Sequence, residues 1–369
     1  MPDPGKRTCL KVGLIVMLSA LQLSGCTRKD AEARPAVTTP LKVAFVYPDA
    51  VSDHAGAYSH EAGRKAAQSY FGDRIATTFV EKVAGDADAE KVFRDLASQG
   101  NRLIYGTSAD YTAALQHVAR DFPEVKFAQA NGTTILPNLG VYAAKRFESA
   151  YLAGLMAGKL TRSGKLGMVG VAAPEAVATV NAFTLGAQSV TPQISTRVTW
   201  LPVAANASQE RDAARSLIDQ GVDVLIQTTA SPATLQAAQE KGVHAFGWDV
   251  DMSSVAPTAH LASAVLKWFP YYQKSIQSML DGTWKASDDW WGVKENTVDL
   301  LNPNAAVSAD IQDLVTEKRK ALATGTARVF DSRQVDQSGR ALLPAGDFAS
   351  AAGIKGMRFY VRGVIGIMP

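Results

Sequence analysis

The feature that most constrains the fold is an alternation of strand-like and helix-like segments, which begins at Leu41 and runs through most of the chain. Apolar runs of strand length, such as KVAFVY at 42–47, are followed by segments with helical periodicity, such as 59–70. This alternation predicts parallel sheets with helices on both faces. It restarts after a helix at 146–161, so we expect two similar α/β halves. The predicted strands are 42–47, 77–83, 102–107, 125–130, 139–144, 165–172, 195–203, 223–229 and 244–249, and the predicted helices are 59–70, 88–100, 111–121, 146–161, 176–190, 208–221 and 233–242.

Each predicted strand ends in a loop of polar or small residues. Examples are YPDAVSDH after the first strand and GWDVDMSS after the last one in the second half. In open parallel sheets, ligands bind outside the carboxyl ends of the strands. Two such halves that face each other would form a cleft lined by these loops, and we expect a ligand to lie between two lobes that can close on it.

The first 25 residues have the pattern of an export signal. Lys6 and Arg7 precede an apolar run at 12–23 that is too short to span a membrane as a helix. The run ends in LSGC, which is typical of a bacterial lipobox, where the signal is removed before the cysteine and Cys26 takes the lipid. An ordinary secretory signal or a short membrane anchor is the alternative. Residues 26–40 form a predicted tether, and we expect the domain at the periplasmic face of a bacterial membrane, held by its lipid anchor.

Charge, cysteine content and motifs restrict the function. The formal net charge of +3 predicts no nucleic-acid partner. The two cysteines are Cys9, inside the signal, and Cys26, so we expect no disulfide in the domain. Zinc binding by His54 and His60 stays an alternative, but no tight ligand cluster is present. Because dinucleotide-binding, P-loop and nucleophile-elbow motifs are absent from the sequence, we predict a binding protein without metal or cofactor, with an enzyme acting on a nucleoside or base as an alternative.

Aromatic and polar side chains concentrate near the predicted strand ends. Flat aromatic faces with a few hydrogen-bonding groups suit a planar ligand that carries N–H donors, such as a nucleobase. Phe183 has a core position as its alternative, Trp200 fits either role, and Trp248 favours ligand contact. For Asp249 and Asp251 we favour accepting ligand N–H groups over acid–base catalysis. The candidate ligand-binding residues are Tyr47, Asp53, His54, Thr107, Ser108, Asn181, Phe183, Trp200, Trp248, Asp249 and Trp268.

Several segments, taken in order, carry a resemblance to a known family. They include LASQGNRLIYGTS, DFPEVKFAQANG, YLAGLMAGKLTRSGKLGMVG, NAFTLGAQSV, FGWDVDMSS and the closing FYVRGVIGIMP. The chain resembles the basic membrane protein (BMP) family, the lipoprotein substrate-binding components of ABC transporters. The resemblance implies a type I periplasmic-binding-protein fold, with two doubly wound parallel-sheet lobes and a ligand cleft between them. It also implies an ABC permease and ATPase as partners and a purine nucleoside as ligand, or adenine in the branch that carries NAFTLGA and DGTWK; we expect a monomer.

The same resemblance divides the chain into domains. In this fold the chain crosses between the lobes several times, so each lobe is discontinuous. After the signal (1–25) and the linker (26–40), we expect lobe 1 to comprise 41–145 and 258–300, and lobe 2 to comprise 146–257 and 301–369.

The resemblance also carries roles to individual positions. Asp53 matches a ligand-contacting aspartate of the first loop, and Thr107 and Ser108 match the G-T-S loop. Asp249 matches the acidic or amide residue that holds the ribose in nucleoside binders.

Some positions depart from the family pattern. Gly56 replaces the stacking aromatic residue, and we expect Trp248 to supply another aromatic face. Where nucleoside binders have a lysine for the ribose, this chain has Leu266 or Lys267. A ligand-sensing lipoprotein and a diverged member that binds a non-purine solute, or nothing small, are therefore alternatives. The further departures are Ala57 for Asn, Ala109 for Phe and Ala230 for Asp.

Overall fold

The computed structural model describes residues 39–51, 56–173, 175–202, 205–229 and 231–369. The export signal, Cys26 and most of the predicted linker therefore lie outside the described residues, as do Asp53, His54 and Ala230. Residues Thr39–Pro369 belong to one structural unit.

The first half alternates strands and helices much as the sequence predicts. β5, Leu139–Ala144, has the predicted bounds, and the other elements begin or end within a few residues of theirs. The elements are β1 (Leu41–Val46), α1 (Gly56–Phe71), β2 (Ile75–Val80), α2 (Gly85–Ser98), β3 (Leu103–Gly106), α3 (Thr112–Asp121), β4 (Lys126–Ala130) and β5 (Leu139–Ala144).

The second half repeats the alternation and then continues with elements that the sequence pattern did not predict. Helix α6 begins one residue before its predicted start at Ser208: its N-cap is Asn206, whose side chain accepts from the Gln209 backbone N–H while the Gln209 side chain accepts from the Asn206 N–H. The elements are α4 (Arg146–Leu160), β6 (Lys165–Val171), α5 (Ala176–Gln188), β7 (Ser195–Leu201), α6 (Ala207–Asp219), β8 (Val224–Gln227), α7 (Ala233–Lys241), β9 (His244–Asp249), β10 (His260–Leu266), α8 (Phe269–Leu280), β11 (Asp288–Trp291), β12 (Val298–Leu301), α9 (Ala309–Thr324), α10 (Ala351–Lys355) and β13 (Val364–Ile365).

The strands form two sheets with the same central order. The first sheet runs β11-β5-β4-β3-β1-β2, and the second runs β12-β10-β9-β8-β6-β7-β13. In both, the first strand of the half lies between the second and the third, which is a doubly wound arrangement. Pairing is parallel except between β10 and β12. The carboxyl ends of β3 and β9 therefore carry the loops that were expected to line the cleft.

Strand pairing differs from the expected lobe boundaries in one region. β10 and all but the last residue of β12 fall within 258–300, which was assigned to the first lobe. However, β10 pairs in parallel with β9, and β10 and β12 belong to the second sheet. The chain passes between the sheets after β5, between β10 and β11, and again between β11 and β12. β10 is thus added beside β9 as a further parallel strand, and the chain leaves the second sheet after it.

Helices α4 and α5 pack backbone against backbone. A methyl group on Gly154 would lie 2.1 Å from the Phe183 carbonyl oxygen, and one on Gly186 would lie 2.1 Å from the Tyr151 carbonyl oxygen. Glycine is required at both crossings because any Cβ would overlap main-chain atoms. This contact holds the middle of α4 directly against α5.

The described residues contain no helix long and apolar enough to cross a membrane. Over the same ranges, no group of three or more His, Cys, Asp or Glu side chains is arranged to hold a metal ion.

Candidate functional site

The strongest feature at the carboxyl edge of the second sheet is the conformation of Asp249. It is the last residue of β9 and has φ 61°, a left-handed value that non-glycine residues rarely adopt. The Val250 N–H donates to the Trp248 carbonyl oxygen at 2.7 Å, closing a three-residue turn around Asp249. A γ-turn with positive φ is strained, by about 1–3 kcal/mol, and such strain concentrates at binding sites.

Arg146 forms an ion pair with the carboxylate of Asp249, in which it donates two hydrogen bonds. Its Nε donates to Oδ1 of Asp249 at 3.1 Å and its Nη2 donates to Oδ2 at 3.4 Å. The two side chains keep 26% and 15% of their exposure, so the pair is largely withdrawn from water. The sequence analysis missed Arg146, because its partner lies 103 positions away and no local motif marks it.

His60, on α1 in the first half of the molecule, is also close enough to Arg146 to be affected by its charge. Its ring stacks on Trp268, with centroids 4.8 Å apart, and its Nδ1 lies 2.7 Å from the Tyr272 hydroxyl. Burial, together with the positive charge of Arg146, lowers the pKa of His60 to about 3. The ring is therefore neutral at physiological pH. The sequence analysis treated His60 only as an alternative zinc ligand.

Glu175 is a third charged group near Arg146. It immediately precedes α5 with φ 67°. Burial raises the pKa of Glu175 to about 7, against the opposing charges of Arg146 and Lys355. The cation of Arg146, the carboxylate of Asp249 and an acid of raised pKa, Glu175, thus lie near the start of α4.

Trp268 is the predicted aromatic residue with the clearest link to a cavity. Its side chain is almost fully buried, and its Nε1–H has no acceptor among the described residues. A cavity of about 270 Å³ lies beside it, lined by both α1 and the crossing from the second sheet. The cavity is lined by Ser59, Ala62, Gly63, Leu266, Lys267, Trp268, Phe269, Pro270 and Asn296.

The predicted residues of the first half are mainly tied into the protein. The Tyr47 hydroxyl donates to the buried Glu61 carboxylate at 3.0 Å, and burial and the Glu61 charge raise the pKa of Tyr47. Thr107 donates to the Val46 carbonyl oxygen at 2.9 Å. Ser108 accepts from the Asp110 N–H, so it caps the turn before α3. Ser108 is partly exposed, whereas Tyr47 and Thr107 are buried.

Three predicted residues of the second half have structural partners in place of the expected ligand. Phe183 is fully buried and packs edge-to-face on Phe246. Trp200 donates from Nε1 to the Tyr360 hydroxyl at 2.8 Å. Trp248 retains only 3% exposure, so its faces are covered by protein.

Asn181 has the same kind of structural role. It lies in α5 and is fully buried. Its Nδ2 donates to the Phe359 carbonyl oxygen at 2.9 Å, and its Oδ1 accepts from the Val361 N–H at 3.0 Å. The amide therefore fastens the carboxy-terminal segment to the second half, which accounts for a polar residue in an apolar helix.

Asn181→Ala is expected to lower the free energy of unfolding by about 2–4 kcal/mol, because it leaves two buried main-chain groups without partners. Urea unfolding followed by circular dichroism measures this change. Asn206→Ala, which removes an exposed helix cap, is the comparison and should lose only about 1 kcal/mol. Equal losses in the two variants would contradict the structural role of Asn181.

The chain is similar to known proteins in both sequence and structure. The family model described as "Bmp: ABC transporter substrate-binding protein PnrA-like" matches residues 41–327. The chain is 39% identical to a purine-binding protein of Brucella abortus, over 89% of this chain and 94% of that protein. It is 33% identical to a putative ABC transporter glucose-binding protein of Haloferax volcanii, over 79% of this chain and 75% of that protein.

Solved structures give the architecture. An ABC transporter solute-binding protein from Conexibacter woesei matches with a TM-score of 0.69 and 25% identity, over 78% of this chain and 98% of that one. A transcriptional activator from Bacillus halodurans matches with a TM-score of 0.70 but 16% identity, over 78% and 99% of the two chains, and so shares the fold alone. The fold is the two-lobed type I periplasmic-binding-protein fold.

Proposed function

Because the chain belongs to the Bmp family of ABC-transporter substrate-binding proteins, we propose that it captures a purine base, with adenine as the first candidate, and delivers it to an ABC permease. The main support is the 39% identity to a protein named as purine-binding, which extends over 89% of this chain. In this proposal, Asp249 accepts N–H groups of the base at the lobe interface. Ligand contacts made to both lobes in the closed state would drive closure.

The contacts of Lys267 favour a free base over a nucleoside. Its Nζ donates to Asp299 at 2.8 Å, which engages it in an ion pair on β12. Leu266, the other position matched to the ribose-binding lysine, is an apolar residue with 8% exposure. A cation free to hold a ribose is therefore missing at both positions, while a base needs only acceptors, donors and a flat apolar face.

Tyr58 is our candidate for that flat face. No described atom lies within 4 Å of a Cβ built on Gly56, so the position of the family's stacking residue is open space. Tyr58 follows two residues later in the first turn of α1 and keeps 38% exposure. We therefore assign the stacking role to Tyr58 in place of the covered Trp248.

Tyr58→Ala is expected to weaken adenine binding by about 1–3 kcal/mol, the usual contribution of one aromatic residue stacked on a base. Isothermal titration calorimetry measures the loss. Tyr70→Ala is the matched control, since Tyr70 is an exposed tyrosine near the other end of the same helix. Unchanged affinity in the Tyr58 variant would remove Tyr58 from the site.

The experiment that tests the function is a thermal-shift panel on residues 27–369, unfolded and refolded to remove bound ligand. The panel contains adenine, guanine, hypoxanthine, purine nucleosides, pyrimidines, sugars and amino acids. A ligand at a hundred times its dissociation constant stabilises the folded state by about 2.7 kcal/mol, which raises the melting temperature measurably. Stabilisation by free bases but not by nucleosides supports the proposal.

A sugar is the second candidate ligand, because the Haloferax volcanii relative is named as a putative glucose-binding protein. Stabilisation by glucose and by no purine would replace the first candidate with this one.

We also propose that the protein is exported and held at the periplasmic face by a lipid on Cys26. Metabolic labelling with a palmitate analogue, lost in Cys26→Ala, tests the anchor. Loss of adenine uptake on deletion of the gene separates transport from ligand sensing.

A further inference from the structure

We infer that Arg146 is a positioning residue that holds Asp249 in its ligand-binding conformation. The inference rests on the proposed function, because that proposal makes Asp249 the acceptor for the ligand. It adds a residue that neither the sequence pattern nor the family resemblance assigned to the site.

The first step is that the Asp249 turn needs an external support. Its φ of 61° is unfavourable for a residue with a Cβ, and the turn lies at the end of the pairing between β9 and β10, where Asp249 is opposite Val265. Among the described residues, Arg146 is the hydrogen-bonding partner of the carboxylate. Removing it leaves a partly buried carboxylate, on a strained turn, without a hydrogen-bonding partner in the part of the chain that the structure describes.

The second step is that Arg146 is itself firmly placed. It is the first residue of α4, and its carbonyl oxygen accepts from the Ser149 hydroxyl at 2.9 Å. The preceding Lys145 N–H donates to the Trp291 carbonyl oxygen of β11 at 2.7 Å, so this crossing is attached to the first sheet. Arg146 therefore links the strained turn of the second sheet to the segment that connects the two halves.

The ion pair with Arg146 leaves part of the Asp249 carboxylate free to accept hydrogen bonds from a ligand. A planar guanidinium that bonds both oxygens fixes the plane of the carboxylate. A carboxylate has about four lone-pair sites, so two remain free to accept ligand N–H groups in a defined direction. Because the Arg146–Asp249 pair is neutral overall, this arrangement suits an uncharged ligand such as a base better than a phosphorylated one.

Among the described residues, the charged and titratable groups that act on Arg146 are Asp249 on β9, Glu175 before α5 and His60 on α1. Burial lowers the pKa of Arg146, but the charge and hydrogen bonds of Asp249 outweigh this effect and raise it. Arg146 therefore carries its charge throughout the physiological pH range, and the guanidinium remains available to donate to Asp249.

A first experiment needs no ligand. Hydrogen exchange of the Val250 amide, followed by NMR, reports the turn directly in the wild type, Arg146→Gln and Arg146→Lys. We expect exchange to become about tenfold faster or more in Arg146→Gln, with partial recovery in Arg146→Lys. Arg94→Gln, which breaks an ion pair with Asp121 on the first half, is the control and should not change Val250. Unchanged Val250 exchange in Arg146→Gln would overturn the inference.

A second experiment separates positioning from direct contact. Adenine affinity is measured for Arg146→Gln, Asp249→Asn and the double variant. Each single variant should lose about 10- to 100-fold, but the double variant should lose little more than Asp249→Asn alone, because Arg146 acts through Asp249. If the loss of affinity in the double variant equals the product of the two single-variant losses, Arg146 acts independently of Asp249. If the wild type does not bind adenine, the proposed ligand fails, while the Val250 exchange result still decides the role of Arg146.

Discussion

Gly154→Ala is expected to lower the free energy of unfolding by about 3 kcal/mol or more, although alanine is the better helix former. The added methyl group would lie 2.1 Å from the Phe183 carbonyl oxygen, a main-chain atom that cannot move without displacing α5. Closely packed interiors do not absorb such an overlap. The helices must separate or the main chain must bend, and either change removes buried contacts.

The measurement is urea unfolding of the two variants Gly154→Ala and Gly56→Ala. Gly56 also lies in a helix, but the space around its Cβ position is open, so alanine there should leave stability unchanged or raise it by up to about 1 kcal/mol. The two substitutions are chemically identical and are expected to differ in sign. Similar effects would show that α4 and α5 are not in main-chain contact.

This packing also bears on the site. Arg146 is the first residue of α4, so a displacement of α4 from α5 moves the guanidinium away from Asp249. We therefore expect any folded Gly154→Ala protein to show faster exchange of the Val250 amide as well. Stability and ligand binding are linked here through one helix that both supports the second half and carries a residue of the site.

The sequence was sufficient for the architecture because the relevant signals are local. Buried parallel strands such as β5 and β9 are short apolar runs bounded by turn residues, and their bounds were predicted without error. The family resemblance was confirmed by a family model over 41–327. The type I fold was confirmed by solved structures. Alternation of strand and helix leaves few other topologies for a chain of this length.

The sequence was less informative where the answer depends on distant partners. β10 has the same apolar character as other strands, and only its pairing with β9 shows that it belongs to the second sheet. Trp200 and Asn181 have residue types typical of ligand contacts, but both bind the carboxy-terminal segment, more than 150 positions away. A local pattern gives the type of a side chain and its approximate face, and tertiary contacts decide whether that face meets protein or ligand.

Acid is expected to destabilise the protein through His60. The folded-state pKa is lowered to about 3, whereas an unfolded histidine titrates near 6.5. The unfolded chain therefore takes up a proton at this histidine below about pH 6.5 that the folded protein does not, and the contribution of His60 to the free energy of unfolding falls as the pH decreases from about 6.5 to about 3. At pH 4 this single group should lower stability by roughly 3 kcal/mol relative to pH 7.5.

Urea unfolding between pH 4 and pH 7.5 measures the slope for the wild type, His60→Gln and His117→Gln. His60→Gln loses the stack on Trp268 and should be less stable at pH 7.5, yet its stability should fall much less on acidification. His117 is exposed and pairs with Glu90, so its replacement should leave most of the slope in place. The slope that remains in His60→Gln reflects other groups, because burial also lowers the pKa of His260, which adds to the loss in acid, and raises the pKa of Glu175, which opposes it. Parallel slopes in all three proteins would mean that His60 is accessible to protons in the folded state.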